Sequence, residues 1–164
     1  MNIAIITLLV TVTTTALMAG LFFSWSCSVS PGLARLSDKE YITAMQSINR
    51  AIQNPWFLSC FIGTAMLLPL STYLHYGEQI SVGFWLLFVA SIFYLLGVMG
   101  VTIFGNVPLN EALDSFNVHY ATVHEISKRR VGFELPWNRL NTIRTATSLV
   151  SFIFVILACM KKNS

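Results

Sequence analysis

One arginine at the start of a long apolar segment has the residue type and position that most suggest chemistry. Arg144 precedes residues 145–160, which contain no Asp, Glu, Lys or Arg. As a helix rising about 1.5 Å per residue, that segment is shorter than a hydrocarbon core of roughly 30 Å. We therefore expect Arg144 at the edge of the core or slightly inside it. There it must extend to the interface, pair with another group, or contact a substrate.

Arg144 belongs to a polar stripe on a predicted helix. Four residues lie on one helical face at i, i+4, i+7 and i+11, namely Trp137, Asn141, Arg144 and Ser148. Asn138 lies one position off this stripe. A polar face that enters the membrane is expected to face the interior of a helix bundle rather than lipid.

A second set of polar side chains comes earlier in the chain. Thr102, Asn106 and Asn110 are spaced by four residues, so they share a face if the helix continues through them. Pro108 lacks a backbone N–H and predicts a bent or interrupted helix at this point. The amides then have two readings of equal weight, hydrogen bonding between helices or contact with a substrate.

Composition excludes a typical soluble domain. The 164-residue chain is 55% hydrophobic and only 10% charged, whereas soluble domains carry about 25% charged residues. Charged residues are absent from 1–34, 51–77 and 79–110. Each of these segments exceeds the roughly 20 residues that a spanning helix needs, and 145–160 is marginal. Lipid is therefore the expected solvent.

We predict one integral membrane domain, residues 1–164, with an all-α fold. The fold is a four-helix transmembrane bundle, because backbone polar groups in lipid must pair within their own segment. The spans are placed near residues 3–27, 56–75, 82–105 and 141–160.

Two connections between the spans are long. The first begins with a helix-ending Ser30-Pro31-Gly32 and is predicted to contain an amphipathic helix over 38–53, opened by a Ser37/Glu40 capping box. The second is predicted to be partly helical from Glu111 to about Arg130, with a turn over 132–136.

Lysine and arginine positions predict the orientation in the membrane. The two long connections carry most of these residues, namely Arg35, Lys39, Arg50, Lys128, Arg129, Arg130 and Arg139. The opposite side has only Lys161 and Lys162. We expect both long connections in the cytoplasm and both termini outside, as in the bacterial inner membrane. The cluster 128–130 is read as a topology signal, and no nucleic-acid partner is expected.

No motif indicates a metal or a cofactor. The three cysteines show no CxxC or Cys/His ligand spacing and are read as small hydrophobic residues. The partners expected are the lipid bilayer and a hydrophobic small molecule, and oligomerisation is left open.

The first span carries a possible lining for a flat pocket. A small residue, an aromatic ring, a cysteine and a proline share one helical face, namely Gly20, Phe23, Cys27 and Pro31. Ordinary helix packing is the favoured reading of this pattern over a ligand pocket.

Several motifs resemble those of one family. In the first half of the chain they are Gly20-Leu21-Phe22-Phe23, Pro31-Gly32-Leu33-Ala34-Arg35-Leu36, Met45-Gln46, Ile48-Asn49-Arg50 and Asn54-Pro55. In the second half they are Asn106-Val107-Pro108-Leu109-Asn110, and Trp137 with Asn141-Thr142-Ile143-Arg144-Thr145. Over nearly its whole length the chain resembles the small four-helix membrane proteins of the anthrone oxygenase-like family. The resemblance implies a four-span bundle. For a few fungal members it also implies cofactor-independent oxidation of anthrones to anthraquinones by dioxygen, whereas most bacterial relatives have no assigned activity.

The resemblance suggests roles for particular residues. Four side chains are expected to stabilise an enolate oxygen, namely Arg144, Asn106, Asn110 and Asn141. Three are expected to bind a flat apolar ring, namely Phe23, Trp137 and Asn138. Family members often carry His where this chain has Thr142, so the general base is open, with Glu111 and Asp114 as candidates by sequence only.

A non-enzymatic reading competes with this hypothesis. The same asparagines and arginine would hold the helices together in a membrane binding, assembly or transport subunit. The sequence leaves open whether the protein catalyses a reaction.

Overall fold

The computed structural model describes residues 3–76 and 81–161. These residues form five helices and no strand: α1 (Ile3–Leu33), α2 (Asp38–Ala51), α3 (Pro55–Leu74), α4 (Val82–Asp114) and α5 (Val123–Lys161). Four of them, all but α2, are long and apolar enough to cross a membrane. The predicted all-α bundle of an integral membrane protein is thereby confirmed. The predicted short connection at 75–81 lies mostly outside the described residues, as does Lys162.

The bundle interior is filled by large apolar side chains from each spanning helix. α1 packs against α3 and α5, and α4 packs against the same two helices. The fully buried side chains include Met18, Leu68, Leu87, Tyr94 and Val155. Buried hydroxyls join the helices, as in the 2.8 Å hydrogen bond between Thr11 and Ser71. Small polar residues of this kind are typical of helix packing in lipid.

Two glycines bring α4 close to α5. A Cβ at Gly97 would overlap the side chain of Thr147, and one at Gly105 would lie 2.9 Å from Leu140 Cδ1. The absence of side chains at these positions lets the two backbones approach. This close approach places the polar face of α4 directly against that of α5.

Helix α4 is not interrupted at Pro108. It has π-helical segments over Phe93–Gly100 and Thr102–Asn106, and the second ends just before the proline. The N–H of Val107 donates to the carbonyl of Thr102, five residues back. The wider turn makes room for the proline ring, and such turns often occur at functional sites. The predicted interruption is therefore wrong, and Thr102, Asn106 and Asn110 lie on one continuous helix.

Helix α5 begins well before the predicted start of the fourth span. It runs unbroken from Val123, so the turn predicted over 132–136 is wrong. The connection predicted to be partly helical from Glu111 to about Arg130 is partly helical, because helix ends at Asp114, residues 115–122 are not helical, and helix resumes at Val123. Pro136 is accommodated because the carbonyl that it frees belongs to Gly132, which is exposed. Helix α1 likewise continues past the predicted stop to Leu33, after a π-helical segment over Trp25–Val29.

Helix α2 covers one end of the bundle. The predicted capping box is present, with the Glu40 carboxylate accepting from the Ser37 N–H at 3.1 Å and from its hydroxyl at 2.6 Å. These hydrogen bonds lower the pKa of Glu40. The apolar face of α2 buries Tyr41, Ile42 and Met45 and packs against α4 and α5. The predicted amphipathic helix is thus confirmed as a cap on the bundle.

Arg130 fastens the α1–α2 connection to α5. Its Nη1 donates to the Leu36 carbonyl at 2.7 Å and its Nη2 to the Ala34 carbonyl at 2.9 Å. Its guanidinium also pairs with Asp38 and Glu134, at 3.0 and 2.8 Å. The sequence indicated only a topology signal at Arg130. In the structure its hydrogen bonds and ion pairs also connect the α1–α2 connection, the start of α2 and helix α5.

We predict that Arg130→Ala lowers the free energy of unfolding by about 1–2 kcal/mol, because two carbonyls and two carboxylates lose their donor at a partly exposed position. Denaturant unfolding in detergent measures this value. Arg139→Ala is the matched control: Arg139 is exposed on the same helix, and its loss should cost no more than about 0.5 kcal/mol. Equal effects of the two substitutions would contradict the role given to Arg130.

We predict that Gly97→Ala destabilises the bundle by about 1–3 kcal/mol, because the new methyl group forces α4 away from Thr147. Gly20→Ala is the control, since a Cβ there meets open space and alanine favours helix by up to about 1 kcal/mol. The same unfolding measurement applies. A neutral Gly97→Ala would show that the helices are not in close contact there.

Candidate functional site

Arg144 lies inside the bundle and does not extend to its surface. Only 6% of the residue is exposed. Its Nη2 donates to Asn141 Oδ1 at 2.9 Å and its Nη1 to Thr102 Oγ1 at 3.4 Å. Its Cζ lies 4.7 Å from the centre of the Phe22 ring and 5.3 Å from that of Trp137. Side chains from α1, α4 and α5 therefore surround the guanidinium.

The positive charge of Arg144 has no carboxylate partner among the described residues. All the ion pairs found there involve other side chains, namely Arg50 with Asp114 and Arg130 with Asp38 and Glu134. The Nε of Arg144 is buried and makes no hydrogen bond within residues 3–76 and 81–161. Aromatic faces stabilise a cation, but they do not neutralise it.

Asn106 is another buried polar side chain without partners. Two further side chains, Asn49 and His75, each have one unpartnered buried nitrogen in the described part of the chain. It is 1% exposed, and neither its Oδ1 nor its Nδ2 has a partner in the described part of the chain. It stands between Thr102 and Asn110 on α4. Thr102 accepts from Arg144 and Asn110 accepts from Trp137. Asn106 therefore faces the place where the Arg144 guanidinium lies over the Trp137 ring.

Trp137 joins the polar cluster to a group of aromatic rings. Its Nε1 donates to Asn110 Oδ1 at 2.9 Å. Its ring centre lies 4.9 Å from that of Trp25 and 6.3 Å from that of Phe133. A group of aromatic rings, with Trp25 tilted by 51° to Trp137, thus lies next to the hydrogen-bond donors.

Asn141 takes part in hydrogen bonds that join α1 to α5. Its Nδ2 donates to Ser26 Oγ at 3.0 Å, and Ser26 lies 2.8 Å from Thr145 Oγ1. Thr145 in turn donates to the Phe22 carbonyl at 3.0 Å. Asn141 therefore makes hydrogen bonds between helices, one of the two roles expected for the buried amides. Ser26 and Thr145 were missed by the sequence reasoning, although each is a hydroxyl within or beside a charge-free segment.

The structure does not bring Phe23 to this cluster. Phe23 is 52% exposed, and the other members of its stripe, Gly20, Cys27 and Pro31, are exposed as well. The ring that contacts Arg144 belongs to the preceding residue, Phe22, which is 3% exposed. A sequence signal for the inward face was nevertheless present, because the threonines Thr7, Thr11 and Thr15 follow one helical face that continues at i+7 to Phe22 rather than Phe23.

A cavity of about 280 Å³ lies between α1 and α5 beside the cluster. Its wall is formed by Ser26, Ser30, Pro31, Ala34, Asn138, Asn141 and Thr142. Asn138 is thus placed at this cavity rather than at the guanidinium. The cavity is one hydrogen bond away from Arg144, because Asn141 lines it and accepts from Nη2.

The candidate bases from the sequence lie away from the cluster. Asp114 is half-exposed and pairs with Arg50 at 2.6 Å, and Glu111 is exposed. Among the described residues, no three His, Cys, Asp or Glu side chains are grouped to hold a metal ion. The donors of the site are therefore a guanidinium, amides and hydroxyls, which suit an oxygen that gains negative charge.

One family model, described as anthrone oxygenase, matches residues 56–154, more than half of the chain. The chain therefore belongs to this family, as the motifs of the sequence suggested. Comparison with curated proteins and with solved structures gives no match. The matched segment contains Asn106, Asn110, Trp137, Asn141 and Arg144, whereas α1 lies outside it.

Two equally buried asparagines are predicted to respond in opposite ways to leucine. Asn141→Leu should lower the free energy of unfolding by about 2–3 kcal/mol, because it removes the acceptor of Arg144 Nη2 and the donor to Ser26 Oγ inside the bundle. Asn106→Leu should leave it unchanged or raise it, because it removes two unsatisfied polar atoms. Unfolding in a low-salt buffer measures both. A large loss for Asn106→Leu would contradict the assignment.

Proposed function

We propose that this member of the anthrone oxygenase family oxidises a flat, lipophilic aromatic substrate of anthrone or quinol type inside the membrane. In this proposal dioxygen is the oxidant and no resident cofactor takes part. The observation that carries the proposal is Arg144, a buried guanidinium without a carboxylate partner in the described chain, enclosed by aromatic rings. We place the protein in the bacterial inner membrane with both long connections in the cytoplasm.

The cavity between α1 and α5 is the proposed place for the ring system. Its volume of about 280 Å³ is just below the range of about 300–1,000 Å³ for ligand pockets. Asn138 and Asn141 lie in its wall, and Trp137 is on the same helix. A lipophilic substrate would reach it from the bilayer and turn its polar oxygen towards Arg144.

Arg144 is proposed to favour the ionised form of the substrate. An anthrone loses a proton from carbon, and the negative charge of the enolate gathers on its oxygen. A guanidinium that is already oriented and desolvated stabilises that oxygen more than water does. The amides of Asn106 and Asn110 are the further donors, because Asn106 is unsatisfied and Asn110 uses its oxygen to accept from Trp137.

The overall reaction balances with dioxygen alone. The enolate carbon donates one electron to dioxygen, and the resulting radical and superoxide join to form a peroxide at that carbon. Loss of water from the protonated peroxide leaves the second carbonyl, so that anthrone plus dioxygen gives anthraquinone plus water. The described residues around Arg144 include no carboxylate or imidazole bonded to it, so the first proton is proposed to leave through water in the cavity.

A non-enzymatic binding or assembly module is the second candidate. It is favoured by the hydrogen bonds from Asn141 through Ser26 to Thr145, which join α1 to α5. That network stabilises the bundle whether or not a substrate is present. It leaves Asn106 and the Nε of Arg144 without a role, and this is why the oxidation is preferred.

Arg144→Met is predicted to lower the rate of anthrone oxidation by at least about 100-fold, the usual effect of removing one donor to an oxyanion. The assay follows dioxygen uptake and anthraquinone formation by the purified protein in detergent, with Tm as a check of folding. Arg139→Met, which removes the same charge at an exposed position of α5, should keep full activity. Equal turnover by both variants, or no oxidation by the folded wild type across a panel of anthrones and quinols, would favour the binding module.

A further inference from the structure

We infer that Arg144 and Asn106 together form a site for a small inorganic monoanion, such as chloride, inside the membrane-spanning bundle. The site is distinct from the surface arginines, because its two residues are 6% and 1% exposed. The inference goes beyond the proposed oxidation and holds whether or not a substrate is turned over.

The acidic side chains that the structure describes are engaged elsewhere. Asp38 and Glu134 pair with Arg130, and Asp114 pairs with Arg50. Two more cap helices, Glu40 through Ser37 and Glu125 through Thr122. Glu111, the remaining described carboxylate, is exposed. The charge of Arg144 is therefore not balanced by a described carboxylate, and a buried cation needs a counter-charge.

The unpartnered donors indicate where the anion binds. The Nε of Arg144 and the Nδ2 of Asn106 are both buried and without partners in the described chain. Asn106 faces the guanidinium from α4, because its neighbours one turn away, Thr102 and Asn110, accept from Arg144 and Trp137. One anion can accept from both donors. A water bound with the anion would donate to Asn106 Oδ1, the other unsatisfied atom of this side chain.

The surroundings select a small anion of single charge. The guanidinium supplies one positive charge, and the Phe22 and Trp137 rings approach it within 4.7 and 5.3 Å. A lipid phosphate with its headgroup would not fit beside a residue this enclosed. If the proposed oxidation is correct, the substrate oxygen takes the same position, so that chloride and substrate compete.

The test is a chloride titration of thermal stability in an uncharged detergent, with gluconate replacing chloride at constant ionic strength. Wild type and Arg139→Met should show a saturating rise in Tm of about 3–6 °C, as expected for a ligand well above its Kd. Arg144→Met and Asn106→Leu should show none. The same Tm in chloride and gluconate for the wild type would overturn the inference, and so would an unchanged rise in Arg144→Met.

Enzyme kinetics distinguish the anion site from the proposed oxidation. This second measurement rests on the proposed function, because it needs a substrate that the protein oxidises. Chloride should raise the KM for the aromatic substrate without changing kcat. A chloride-dependent Tm in a protein that oxidises no substrate would support the anion site and contradict the proposed oxidation. Oxidation with no effect of chloride on Tm or KM would support the proposed oxidation and contradict the anion site.

Discussion

The burial of one guanidinium constrains most of the structure around it. A charged side chain in a lipid-embedded interior is costly unless polar groups and electron-rich surfaces surround it. Here α1 supplies the Phe22 ring, α4 supplies Thr102, and α5 supplies Asn141 and the Trp137 ring. Three spanning helices must therefore keep their relative positions, and the hydrogen bonds of Ser26 and the tight α4–α5 packing at Gly97 help to keep them there.

The buried amides of Asn141 and Asn106 differ in their hydrogen bonding, although both lie on polar faces of spanning helices. Asn141 is saturated by Ser26 and Arg144, so it holds helices together. Asn106 is as deeply buried and has no partner among the described residues, so it is available to a ligand. The π-helical segment that ends at Asn106 and the proline that follows it present this amide to α5. Irregular backbone at membrane depth thus coincides with the unsatisfied polar group, as expected at a functional site.

Periodicity predicted the polar faces well, because polar residues at helical spacing in an apolar segment have only the interior to face. Trp137, Asn141, Arg144 and Ser148 are all buried. The same periodicity, applied to Thr7, Thr11 and Thr15 of α1, selects Phe22 over Phe23, because Phe22 lies seven residues after Thr15 on the buried face. The helix breaks predicted at Pro136 and Pro108 were wrong. The exposed carbonyl of Gly132 accommodates the first proline and the π-helical segment before Val107 the second, and both features depend on tertiary context. The hydrogen bonds of Arg130 to the carbonyls of the α1–α2 connection could not be predicted from sequence spacing, because these partners lie far away in the chain.

The enclosed site requires that the Arg144 guanidinium stay inside the bundle when the protein is in a bilayer. Solid-state NMR of protein labelled at arginine and tryptophan, in phospholipid vesicles, measures this directly. We expect through-space contact between Arg144 Cζ and the Trp137 ring, 5.3 Å away, no dephasing by lipid phosphorus, and slow exchange of Nε–H with water. Close contact with phosphate and rapid exchange would show that the side chain extends to the interface, and the enclosed site would not exist.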